Sequence, residues 1–98
     1  MSEFMGNIAG VYDAKEQGFC PGASSLHSTM SGHGPEWEVF RKASEAKLEP
    51  FFVSPNSMAF MFETCFLMKL TPYAALEHPK DETYRDCWQQ LPRLFKKP

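Results

Sequence analysis

Apolar residues change their spacing along this 98-residue chain, and each spacing predicts a different element. Residues 1–30 carry short apolar runs, Phe4-Met5, Ile8-Ala9 and Val11-Tyr12, among Gly, Ser and Ala. That pattern predicts short strands joined by loops, with Gly18, Pro21 and Gly22 marking a turn and Tyr12 in a run that suits a strand. A helix is expected from Gly34-Pro35. Proline fits the first helical position, and Glu36 and Glu38 complement the positive end of the helix dipole. Trp37, Phe40 and Ala43 then share one side, giving this helix an apolar face as far as Lys47.

Pro50 and the Ser54-Pro55-Asn56 cluster break the chain. Ser57 to Leu70 follows as the most hydrophobic segment, read as a strand. Phe60, Phe62, Thr64 and Phe66 would share one face, and Ala59, Met61, Cys65 and Leu67 the other. Both faces are apolar, which predicts a strand covered on both sides. A buried helix competes, but the aromatic richness favours the strand. Near the end, Tyr84, Cys87, Trp88 and Leu91 follow the spacing of an amphipathic helix, with Asp81 as N-cap and Pro92 as terminator. There is no internal repeat and no low-complexity tract.

Composition narrows the class. A chain of 98 residues makes one domain at most, and a domain this small buries about 60–65% of its unfolded surface. With 43% hydrophobic residues, nine Phe and six Met, it has enough apolar material for a core, which excludes gross disorder. The net charge of -2 argues against a nucleic-acid partner, and Lys96-Lys97 reads as a solvated tail. Cys20, Cys65 and Cys87 form no C-x-x-C pair, so neither a zinc ribbon nor a disulfide framework is expected, and a reducing, cytoplasmic setting fits. Cys65 and Cys87 read as small buried hydrophobes, and Cys20 as a loop thiol. No secretory signal and no membrane span are predicted.

The candidate chemistry gathers between Ser24 and Glu36, which holds His27 and His33 among small, flexible residues. Two histidines and a carboxylate on one face suit Fe(II) and leave positions open for substrate and oxygen. The chain offers Glu3, His27, His33 and His78. His78, beside Pro79 in a charged linker, reads as a surface residue. For His27 and His33 the spacing leaves both ligation and plain loop polarity open. Taken alone, Glu3 is a solvated carboxylate and Tyr12 a half-buried aromatic with its hydroxyl at an edge. Glu63 interrupts an apolar strand, so a buried carboxylate held by an ion pair or hydrogen bonds is expected there.

Several separate motifs point to one family. Met-Ser-Glu-Phe-Met-Gly at 1–6, Gly-Val-Tyr-Asp-Ala-Lys at 10–15, Ser-Leu-His-Ser at 25–28, His-Gly-Pro at 33–35, Met-Ala-Phe-Met-Phe-Glu-Thr at 58–64 and Tyr-Arg-Asp-Cys-Trp at 84–88 closely resemble the C-terminal part of homogentisate 1,2-dioxygenases. The resemblance implies a mainly β fold with two or three helices, residues 1–98 being part of a cupin (jelly-roll) β-sandwich, incomplete at its N-terminal side. It implies an Fe(II)-dependent oxidoreductase that opens the ring of homogentisate with dioxygen to give maleylacetoacetate, in tyrosine and phenylalanine degradation, and that forms homo-oligomers. Glu3 and His33 would be metal ligands, Tyr12 and His33 would contact substrate, and His27 would lie nearby without ligating.

The same resemblance sets a limit. The family's other histidine ligand precedes the Met-Ser-Glu motif, so this chain alone is expected to be inactive, and none of its residues is assigned as catalytic. Ala23-Ser24 stands where the family's loop is richer in glycine, and Asn7 where an apolar residue is usual. Two other readings remain: a non-catalytic cupin-like remnant that packs with a partner chain, and a small metal-binding module using Glu3, His27 and His33 together.

Overall fold

Three strands form one antiparallel sheet: β1 (Ser2–Ala9), β2 (Ser24–His27) and β3 (Met58–Thr64), in the order β2-β1-β3. They are seen in a computed structural model that describes residues 1–53 and 55–97. Helix α1 spans Trp37–Glu45 and α2 spans Pro72–Leu76, and a 3-10 helix covers Tyr84–Trp88. The architecture is mainly β, as expected.

Register decides which residues meet. Glu3 lies opposite His27 on one side and Glu63 on the other, and Met5 lies opposite Ser25 and Met61. Because side chains alternate along a strand, Glu3, Met5 and Asn7 share a face with Ser25, His27, Ala59, Met61 and Glu63. The other face carries Phe4, Leu26, Phe60 and Phe62. There the Phe60 ring lies 5.6 Å from both Phe4 and Phe62. It also crosses Gly6, where a Cβ would come within 2.5 Å of the ring, so only glycine admits this packing.

Two polar residues tie the sheet to its loops. Asn7, only 3% exposed, donates from Nδ2 to the carbonyls of Gly10 at 3.0 Å and Phe19 at 2.8 Å. Its backbone also bonds Ala23 and Gly22, so this one residue closes the long β1–β2 connection. Asn7 is therefore the anchor of this loop. Ser2, fully buried, donates from Oγ to the Phe66 carbonyl at 2.8 Å and accepts from Thr29 N–H at 3.1 Å. It joins the ends of β1, β2 and β3 directly beside Glu3.

Several expectations are corrected. The strand expected over 57–70 ends at Thr64, whose Oγ1 accepts from Phe66 N–H and turns the chain away. Its alternation is as read within β3, but the strand is not covered on both faces: Met61 is 46% and Phe62 63% exposed. Among the described residues the three strands form a single layer, with no second sheet to cover it. For the same reason Glu63 and Cys65 are exposed rather than buried. Cys87 is half-buried and Cys20 exposed, and all three thiols are free.

Helix α1 begins at Trp37, not at Gly34-Pro35, because the loop holds Glu36 in extended backbone. The Glu36 N–H donates to the Ala14 carbonyl at 3.0 Å, and its carboxylate accepts from Glu16 N–H at 3.1 Å and pairs with Lys15 at 3.7 Å. Trp37 and Phe40 are half-buried, while Ala43 is exposed. Tyr12 lies in a tight bridge to Lys15 instead of a strand. The C-terminal element is 3-10 rather than α and stops at Trp88, short of Leu91. Its N-cap is Thr83 rather than the expected Asp81, which lies in the turn before the helix and accepts from the N–H and hydroxyl of Thr83. Sequence patterning missed α2, although Thr71 caps it by accepting from Ala74 N–H and Pro72 opens it. Within the expected break, Ser54 lies outside the described residues.

Candidate metal centre

Strand pairing places Glu3 and His27 side by side, and the loop leaving β2 brings His33 back over them. One ligand-type atom from each of the three residues lies within 4.8 Å of the others, the only such group among the described residues. His78 stays apart on the surface, its Nδ1 on the Pro79 carbonyl at 2.8 Å. Tyr12 is half-buried, packed edge-on against Phe19, and lines the same pocket as the three residues.

Proton positions follow from the partners. His33 Nδ1 faces the Ser31 carbonyl at 3.2 Å, an acceptor only. Its Nε2 then faces Glu3 Oε2 at 3.2 Å. A neutral ring can donate to only one of these two acceptors, so both contacts are favourable together only with a second proton on the ring or a cation at one nitrogen. Burial pulls the His33 pKa down, but hydrogen bonds to Ser31 and Glu3 outweigh it and hold it above 6.5.

His27 is satisfied differently. Its Nδ1 lies 3.3 Å from Glu3 Oε1, and its Nε2 lies 3.2 Å from the Tyr84 hydroxyl. Burial first, and the neighbouring His33 second, hold its pKa below 6.5 despite the Glu3 carboxylate. The two imidazoles stack, 4.1 Å apart at 11°. A histidine ligates through a lone pair in its ring plane, so an ion in the plane of one ring lies well off the plane of the other.

Around these groups is a pocket of about 170 Å³, lined also by Met5, Tyr12, Lys15, Met61, Tyr84 and Trp88. Trp88 Nε1 donates to the Gly34 carbonyl at 2.9 Å and so pins the backbone next to His33. Burial, then Asp13 and Glu3, push the Tyr12 phenol above 10.0, so it enters the pocket as a protonated donor. Sequence patterning read Tyr84 and Trp88 as one apolar helix face and missed their place here. Their polar tips were the available signal, since a packed Tyr O–H or Trp N–H usually finds a partner.

Comparison with known proteins supplies the family. Residues 1–95 match the family described as homogentisate 1,2-dioxygenase C-terminal. The chain belongs to this family. Over 95 residues it is 53% identical to homogentisate 1,2-dioxygenases of Nitrobacter hamburgensis and Rhizobium meliloti, and 50% identical to that of Rhodopseudomonas palustris. Each match covers 97% of this chain and 21% of the relative. The chain thus spans about a fifth of the length of the curated homogentisate 1,2-dioxygenases it matches. No helix among the described residues is long and apolar enough to cross a membrane.

Proposed function

We propose that this chain forms the C-terminal part of a homogentisate 1,2-dioxygenase cupin domain and contributes two ligands, Glu3 and His33, to its Fe(II) centre. The observation that carries this is the convergence of His33 Nε2 and Glu3 Oε2 at 3.2 Å, while His33 Nδ1 has the Ser31 carbonyl to donate to at 3.2 Å. A histidine ligand that donates its other N–H to a backbone carbonyl is the usual arrangement at metal sites. Neutral imidazole and carboxylate suit Fe(II).

When bound, the ion supplies a Lewis acid that lowers the pKa of a phenol and holds both reactants together. The chain's own groups do the rest. Met5 and Met61 offer apolar walls to an aromatic ring, and the Tyr12 hydroxyl orients the substrate by a hydrogen bond. The remaining protein ligand comes from residues outside these 98, in keeping with a chain a fifth as long as its relatives. Homogentisate and dioxygen are the proposed substrates, a soluble homo-oligomer in the cytoplasm the proposed form.

The close approach of all three residues favours a second reading, a self-contained module in which His27 also ligates. Ring stacking and the two existing partners of His27 weigh against it. Anaerobic Fe(II) titration of the 98-residue chain tests the choice. Weak binding of one ion is expected, lost in Glu3→Gln and His33→Ala, unchanged in His78→Ala, with no oxygen uptake on homogentisate. Robust turnover by this chain alone would refute the need for outside ligands.

A further inference from the structure

Tyr84 comes from a separate element, 57 residues beyond His27, yet its hydroxyl ends 3.2 Å from His27 Nε2. Its ring is held edge-on by Trp88, with centroids 5.1 Å apart at 89°, and the Lys15 ammonium lies 5.2 Å from the ring centroid. The line of contacts Tyr84 Oη, His27 Nε2, His27 Nδ1, Glu3 Oε1 runs in one direction. An ionised Glu3 can only accept, which favours His27 Nδ1 as the donor. A neutral imidazole that donates from Nδ1 has only a lone pair at Nε2, and Tyr84 supplies the donor that faces it.

We propose that Tyr84 is a positioning residue for this centre: its hydroxyl fixes His27 with the proton on Nδ1, and His27 thereby holds Glu3 Oε1 so that Oε2 faces His33. The proposal rests on the reading of Glu3 and His33 as ligands. Its consequence is specific. The Nδ1–H form is the less common one in free histidine, and here the protein selects it from both ends of the ring. Without the Tyr84 hydroxyl, the ring returns toward the Nε2–H form, which turns a lone pair onto Glu3 Oε1 and releases the carboxylate. Burial also pushes the Tyr84 phenol above 10.0, with Cys87, Glu3 and Tyr12 adding to it against a pull from Ser25, so it stays a donor.

The test uses the 98-residue chain labelled with 15N at histidine. Long-range 15N–1H correlation spectra, recorded metal-free at mildly alkaline pH, report which ring nitrogen of His27 carries the proton. The native chain is expected to show Nδ1–H, and Tyr84→Phe, which keeps the ring packed on Trp88, is expected to lose that form. Co(II) affinity by chelator competition should fall about 10- to 100-fold in Tyr84→Phe, as for other groups that orient a ligand. An Nε2–H ring in the native chain overturns the proposal, and this arm needs no variant to fold. An unchanged His27 tautomer in Tyr84→Phe overturns it too. If instead Glu3→Gln and His33→Ala leave Co(II) affinity intact, the ligand reading fails, while the tautomer result separately decides the role of Tyr84.

Discussion

Trp88→Phe probes how the His33 loop is held. The indole N–H donates to the Gly34 carbonyl at 2.9 Å, one residue from His33, and phenylalanine removes that donor while retaining an aromatic ring. The ring also packs edge-on to Tyr84 at 5.1 Å and to His27 at 6.0 Å, contacts a phenyl group largely preserves. A typical intramolecular hydrogen bond contributes about 0.5–1.5 kcal/mol net. This one is open to solvent, so about 0.5–1 kcal/mol is appropriate. If that order is needed for His33 to face Glu3, metal binding weakens by the same amount, about two- to fivefold in Kd. Chelator competition with Co(II) measures it, with far-UV circular dichroism as a check that the fold persists. An unchanged Kd in a folded Trp88→Phe chain would mean that the His33 loop is positioned without Trp88, and the reasoning would fail.

Two further outcomes follow from the same geometry. In the metal-free chain, proton NMR should show His33 titrating above 6.5 and His27 below it, since hydrogen bonds to Ser31 and Glu3 favour charged His33 while burial and His33 disfavour charged His27. The reverse order would contradict the assigned partners. Asn7→Asp should destabilise the chain by about 2–5 kcal/mol, because it removes two donors and leaves the Gly10 and Phe19 carbonyls facing a buried carboxylate. Asn7→Leu should cost less, since the native Asn7 Oδ1 is itself buried without a partner; urea melts that show equal losses would refute this.

What the sequence made legible divides along physical lines. Local signals were readable: alternation in β3 assigned Phe60 and Phe62 to one face and Met61 to the other, and Gly18, Pro21 and Gly22 marked a turn within the β1–β2 connection. Contacts between distant residues were not. Periodicity cannot reveal that Tyr84 reaches His27 or that Trp88 reaches Gly34, because it registers only that these residues have an apolar side. The burial of β3 was overestimated because an apolar strand signals a need for cover, not the presence of it. Glu36 read as a helix-start residue because dipole complementarity is local, whereas its actual partners, Lys15, Glu16 and Ala14, come from another loop. For the candidate site, spacing left His27 and His33 equivalent. Family resemblance separated them as an expectation, and in the fold the two rings have different partners, Glu3 and Tyr84 for His27, Glu3 and Ser31 for His33.

The central claim is that Glu3 and His33, and not His27, hold the ion. Crystals of the chain equilibrated anaerobically with Fe(II) and measured at the iron edge test it most directly. The account predicts one anomalous peak about 2 Å from both Glu3 Oε2 and His33 Nε2, with His27 still bonded to Glu3 and Tyr84. A peak bonded to His27, or one lying away from Glu3 and His33, would contradict it.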